Sequence, residues 1–102
     1  MISDAEFKRR INRGIKLLDK KYGKKWREKI VLGTLDLADG SHCVLGQTDS
    51  NYTDHSHALG LSDRSAARLG FFSQAKNFDN YERESERLTA LWKAALRRRG
   101  CK

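Results

Sequence analysis

Cys43 and the three histidines, His42, His55 and His57, are the side chains of this sequence best suited to bond-making chemistry. A cysteine becomes a nucleophile when a neighbouring imidazole or a helix N-terminus lowers its thiol pKa. His42 is adjacent to Cys43, an arrangement that usually turns the ring away from its neighbour's thiol, and no family-specific catalytic string surrounds the cysteine. The same cysteine together with His55, His57 and an aspartate such as Asp54 has the ligand types of a zinc site. Structural zinc sites normally come as two close ligand pairs, whereas here one His-x-His accompanies a lone cysteine, so no metal and no cofactor is expected. The types favour a small, buried, structural Cys43, with His55 and His57 on a polar helix face. A thiol or metal enzyme centred on Cys43 stands as the alternative from a different class. Gly33, Gly40, Gly46, Gly60 and Gly70 match neither the dinucleotide nor the P-loop spacing and read as helix stops and turns.

The two cysteines, Cys43 and Cys101, are 58 positions apart, and the second lies beside Arg97-Arg98-Arg99-Gly100. No structural disulfide is expected, which fits a reducing cytosol. No run approaches the roughly 18 to 20 apolar residues that span a membrane, and the first residues are amphipathic without an apolar signal region. The expected compartment is therefore the cytoplasm, with no membrane partner.

Charge is the strongest physical signal. Lys and Arg number 21 against 13 acids, a formal net charge of +8. Residues 1–30 hold eleven bases against four acids, residues 31–70 two against five, and residues 71–102 eight against four. Such a footprint is that of a polyanion binder, and nucleic acid is the leading partner. Lys8, Arg9, Arg13, Lys16, Lys20, Lys24, Lys25 and Arg27 are the candidate contacts to phosphate. High charge also serves solubility, and Glu82, Glu84 and Glu86 interleaved with Arg83 and Arg87 read as an ordinary solvated helix face.

The elements that must position these charges are helical. Ser3 followed by Glu6 is a capping-box pattern, and Phe7, Ile11, Ile15, Leu18 and Tyr22 recur at helical spacing, which predicts a helix over 4–22 stopped by Gly23. Trp26 and Ile30, four apart, predict a short second helix that packs its tryptophan on the first. Residues 34–40 suit an irregular or short extended connection ending at Asp39-Gly40. Beyond it, short helices are expected at 42–48 after Ser41, in a turn up to Leu59 after Asn51 or Thr53, and at 63–69 after Ser62. Phe71, Phe72 and Phe78 would lie on the core. A long final helix opening at Asn77 or Asp79 would turn Tyr81, Leu88, Leu91, Trp92, Ala95 and Leu96 inward. With 102 residues and nine aromatics, the chain is expected to form one mainly α domain over 1–102, two long terminal helices enclosing a central segment of short helices and turns.

Gly14-Ile15-Lys16-Leu17-Leu18-Asp19, Trp26 and Ile30, Leu35-Asp36-Leu37, Cys43-Val44-Leu45-Gly46-Gln47, Tyr52, Leu59-Gly60-Leu61, Leu69-Gly70-Phe71, and Leu88-Thr89 with Trp92 form an ordered series. In order and spacing the series resembles a family of small proteins encoded mostly by bacteriophages of actinobacteria and their prophages. The resemblance implies a phage-type accessory protein in the host cytoplasm and brings no activity with it. Members of that family tend to carry proline or an acid before the tryptophan, where Lys24-Lys25 stand here, so the basic character belongs to this chain. The expected function is non-enzymatic binding of nucleic acid, with a host protein, such as a defence or regulatory factor, as the alternative partner.

Overall fold

Ser3 opens the first long helix, α1, Asp4–Tyr22, by accepting a hydrogen bond from the Glu6 N–H at 3.2 Å. In this computed structural model, which describes residues 3–39, 42–44, 47, 63–71, 73 and 77–100, α1 has the bounds its periodicity predicts. Gly23 ends it at φ +71°, a conformation that glycine adopts without a Cβ penalty, and its N–H closes on the Asp19 carbonyl at 2.9 Å. Two 3-10 helices follow, Lys24–Lys29 and Leu32–Thr34, so the short helix expected around Trp26 is present in the tighter form. A short α-helix, α2, Asp63–Arg68, precedes the second long helix, α3, Phe78–Arg98. Asn77 caps α3, its side-chain oxygen accepting the N–H groups of Asp79 and Asn80 at 2.8 and 3.3 Å. The architecture is mainly α, and no strand occurs among the described residues. The turn expected up to Leu59, Phe72 and most of 42–48 lie outside the described residues.

Asp4 of α1 meets Arg87 of α3, and Asn12 meets Arg99. Because both numbers rise together, the long helices lie side by side with the same chain direction. Their inner faces share one apolar cluster: Phe7, Ile11, Ile15 and Leu18 from α1, and Leu88, Trp92, Ala95 and Leu96 from α3. Trp26, Ile30, Leu32, Leu35, Leu37, Cys43 and Val44 pack into the same cluster from the connection between them. At about 25 cal/mol per Å² of apolar surface removed from water, this burial is the main source of stability.

Burial differs from expectation at four residues. Tyr22, expected inward, is 36% exposed, because it is the last residue of α1 and stands where the chain turns away at Gly23. Tyr81 and Leu91 are only partly covered. Glu84, expected on a solvated face, is buried at 8% exposure and accepts a 2.8 Å hydrogen bond from the buried Ser73 hydroxyl. Glu84 lies one turn before Leu88 and two before Trp92, so helix geometry carries it inward, and the Ser73 bond offsets part of its desolvation.

The segment Leu69-Gly70-Phe71 crosses α1 at very short range. A Cβ on Gly14 would stand 2.3 Å from the Leu69 carbonyl oxygen, and a Cβ on Gly70, itself at φ +79°, would stand 3.0 Å from the Ile11 nitrogen. Trp92 holds the crossing from the other side: its indole N–H donates to the Gly70 carbonyl at 2.6 Å, and its ring stacks on Phe71 at 5.9 Å between centroids. In an open helix, Gly14→Ala would gain about 1 kcal/mol from propensity. Here the methyl meets backbone, so a net loss of about 1–3 kcal/mol is expected, read as a lower urea midpoint with an unchanged slope.

Candidate nucleic-acid interface

Steps of three and four residues place Arg9, Arg13, Lys16 and Lys20 in one row on α1, opposite the apolar residues that face the core. All four are exposed, as are Lys8, Lys24 and Lys25. Glu6 stands at the N-terminal end of the row and takes up much of its charge there. Its carboxylate pairs with Arg9 at 3.0 Å, Arg10 at 3.0 Å and Arg13 at 3.6 Å. The second half of the expected capping box is thus replaced by an arginine cluster. Among the described residues, no ion pair involves Lys8, Lys16, Lys20, Lys24 or Lys25.

Arg27 occupies a different environment from the other seven candidates. Its guanidinium donates to Asp19 at 2.6 Å, lies 5.8 Å over the Trp26 ring, and keeps only 17% of its side chain exposed. Asp19 also accepts the Trp26 indole N–H at 2.8 Å. One carboxylate therefore fixes the buried tryptophan and the arginine stacked on it, tying the first 3-10 helix to α1.

The acids at the start of α1 carry the clearest electrostatic signature. Asp4 is held below its ordinary carboxyl value, chiefly by the hydrogen bond from Arg87, and Glu6 is held down by Arg10 and then Arg9. The same contact raises Arg87. Both acids are also placed where the positive end of the α1 dipole favours negative charge.

Cys43 is 2% exposed and sits in the core beside Val44. His42 is exposed, and its Nδ1 lies 2.8 Å from the Asp39 carboxylate, so the imidazole faces the aspartate across a surface turn. That turn is built by the Asp39 carbonyl, which accepts the His42 and Cys43 N–H groups at 3.0 and 2.8 Å. His55, His57 and Asp54, the remaining zinc-type residues, lie outside the described residues, as do Leu45 and Gly46. Among the described residues, no group of three potential metal ligands occurs.

Gln47 has a role that its place in the sequence does not announce. Its side-chain oxygen accepts the Val31 N–H, while its amide donates to the carbonyls of Val31 at 3.3 Å and His42 at 2.9 Å. The amide thereby joins the connection after Trp26 to the Cys43 turn, pairing with backbone as a neighbouring strand would. The one signal for it is a long polar side chain beside the least charged stretch of the sequence.

Comparison with protein-family models, with curated proteins and with solved structures returns no match to this chain. Among the described residues, no helix is long and apolar enough to cross a membrane.

The burial of Cys43 sets its reactivity. In a Cys101→Ser background, Cys43 should be alkylated only as fast as the core opens, and Cys43→Ser should cost on the order of 1 kcal/mol or more; rapid labelling of the native protein would contradict this burial. The acids at the start of α1 set the response to low pH. Because Asp4 and Glu6 have depressed carboxyl values, their contribution to stability is present above the ordinary carboxylate range of about 4 and is lost as pH falls through the depressed values. Asp4→Asn combined with Glu6→Gln should therefore flatten the acid limb of a plot of melting temperature against pH while leaving its shape above pH of about 6 unchanged.

Proposed function

We propose that this protein is a small accessory protein of the phage type that acts by binding nucleic acid through the outward face of α1. The observation that carries this reading is the single exposed row of Arg9, Arg13, Lys16 and Lys20, opposite a fully apolar inner face and continued by Lys24 and Lys25. From first to last the row spans about 16 Å at the helical rise of about 1.5 Å per residue. Duplex DNA presents one negative charge per about 1.7 Å of axis, so several phosphates fall within its reach. The contacts are to backbone, which predicts little sequence preference. Lys8 stands at the flank of the row. Arg27, committed to Asp19 and Trp26, serves chiefly to hold the Lys24-Lys25 segment in place.

Affinity for duplex DNA should fall as salt rises, with a log-log slope of about 0.9 per phosphate neutralised. The Arg13→Glu, Lys20→Glu double variant should flatten that slope and weaken binding on every sequence, while circular dichroism stays unchanged. Absence of any binding below about 100 µM at physiological salt would exclude this reading. The basic row would then fit an acidic surface on a host protein, for which the same double reversal should slow association by removing electrostatic steering.

A further inference from the structure

The geometry points to a second limb of the phosphate-binding surface at the C-terminal end of α3, where Arg99 is held against α1 at the flank of the row and the exposed Arg98 precedes it, and to duplex nucleic acid as the ligand that the two limbs grip together. This rests on the nucleic-acid reading above and specifies where, and in what form, the ligand is held.

Arg99 carries the placement. One of its terminal nitrogens donates to the Asn12 side-chain oxygen at 3.3 Å, and the other donates to the Ala95 carbonyl at 2.9 Å. Asn12 lies three residues after Arg9 and four before Lys16, so the guanidinium is anchored against the row on α1. Neither acceptor is a carboxylate, so the group is fixed in position without an ion pair. Arg98 is exposed, and among the described residues neither it nor Arg99 forms an ion pair with a carboxylate.

The opposite end of the α1–α3 pair is built differently. There Arg87 is matched by Asp4, and Glu6 is shared among Arg9, Arg10 and Arg13. Lys16 and Lys20 of α1 and Arg98 and Arg99 of α3 have no such acid among the described residues, so each helix carries unpaired cations in its C-terminal half. Arg99, held at the flank of α1, brings a cation from a second helix to the edge of the row, and cations from two elements can meet phosphates of both strands of a duplex, whereas a single strand needs one row only.

Anisotropy titrations of a duplex and of a single strand of equal length, each at several salt concentrations, test this assignment. The wild-type protein should bind the duplex more tightly. Replacing Arg98→Gln and Arg99→Gln should lower the duplex slope by about 1.8, the value for two phosphate contacts. Arg98→Lys with Arg99→Lys, which keeps the charge, should preserve the slope and so separates charge from any structural role of the Arg99 hydrogen bonds. A glutamine variant with the wild-type slope, or equal binding of both nucleic acids, overturns the second limb while leaving the α1 interface standing. A wild-type protein that binds neither overturns the α1 reading and this one with it.

Discussion

The fold depends on how closely the 69–71 backbone can lie against α1. With no side chain at Gly14, the Leu69 carbonyl can occupy space that any Cβ would claim, and the positive φ of Gly70 lets the chain turn over Ile11 and continue into Phe71. Trp92 then completes the junction by bonding to the Gly70 carbonyl and stacking on Phe71, so three separated parts of the chain meet at one point. A buried indole N–H needs a partner, and a carbonyl at a glycine turn offers one without opening a helix. The contact joins α3 to α1 through the 69–71 backbone, beside the Asp4–Arg87 and Asn12–Arg99 contacts and the shared apolar cluster.

The connection between the first 3-10 helix and α2 is held by a different device. Polar side chains do there what strand pairing would do elsewhere. Gln47 bonds to the backbone of Val31 and His42, the Thr89 hydroxyl accepts the Leu37 N–H, and the Asp39 carbonyl gathers the turn that leads into Cys43. Irregular backbone can enter a core only when its N–H and C=O groups are satisfied, and these side chains satisfy them. The apolar residues Leu35, Leu37, Cys43 and Val44 are thereby buried without a sheet.

Local rules suffice to make the long helices legible in the sequence. At Asp4–Tyr22 the cap, the apolar period and the terminal glycine all agree, and at α3 Asn77 does the same for one end. Glu84 escapes those rules because Glu82 and Glu86 beside it look like a solvated face; only its register with Leu88 and Trp92 distinguishes it. The bonds of Gln47 are not legible, since its partners are 16 and five positions away and lie in segments with no periodicity. The basic row is legible as a row, because helix geometry alone places it. Its neutralisation by Glu6 and its extension by Arg99 are not, because both depend on which side chains fold toward which.

That distribution of charge bears on whether the basic residues serve the fold or a partner. Cations in the last turn of a helix are favoured by its dipole, which accounts for Lys20 and Lys21 on α1 and for Arg97 and Arg98 on α3. The effect fades within one turn, so it gives no reason for Lys16, more than a turn inside α1, to stand in the same row with no acid paired to it among the described residues. Arg99 bonds the Ala95 carbonyl in the last turn of α3, which the dipole also favours, but its second bond, to the neutral Asn12 against that row, is not a helix-end contact. Bringing like charges together raises the energy of the folded state, and domains of this size are stable by only about 5–15 kcal/mol. The same chain places acids beside Arg87 and Arg27, where arginine has a structural task. Lys16, Lys20, Arg98 and Arg99, which have no carboxylate partner among the described residues, therefore carry an electrostatic cost that no contact within the described part of the molecule offsets, and this cost is what motivates the proposed anionic partner.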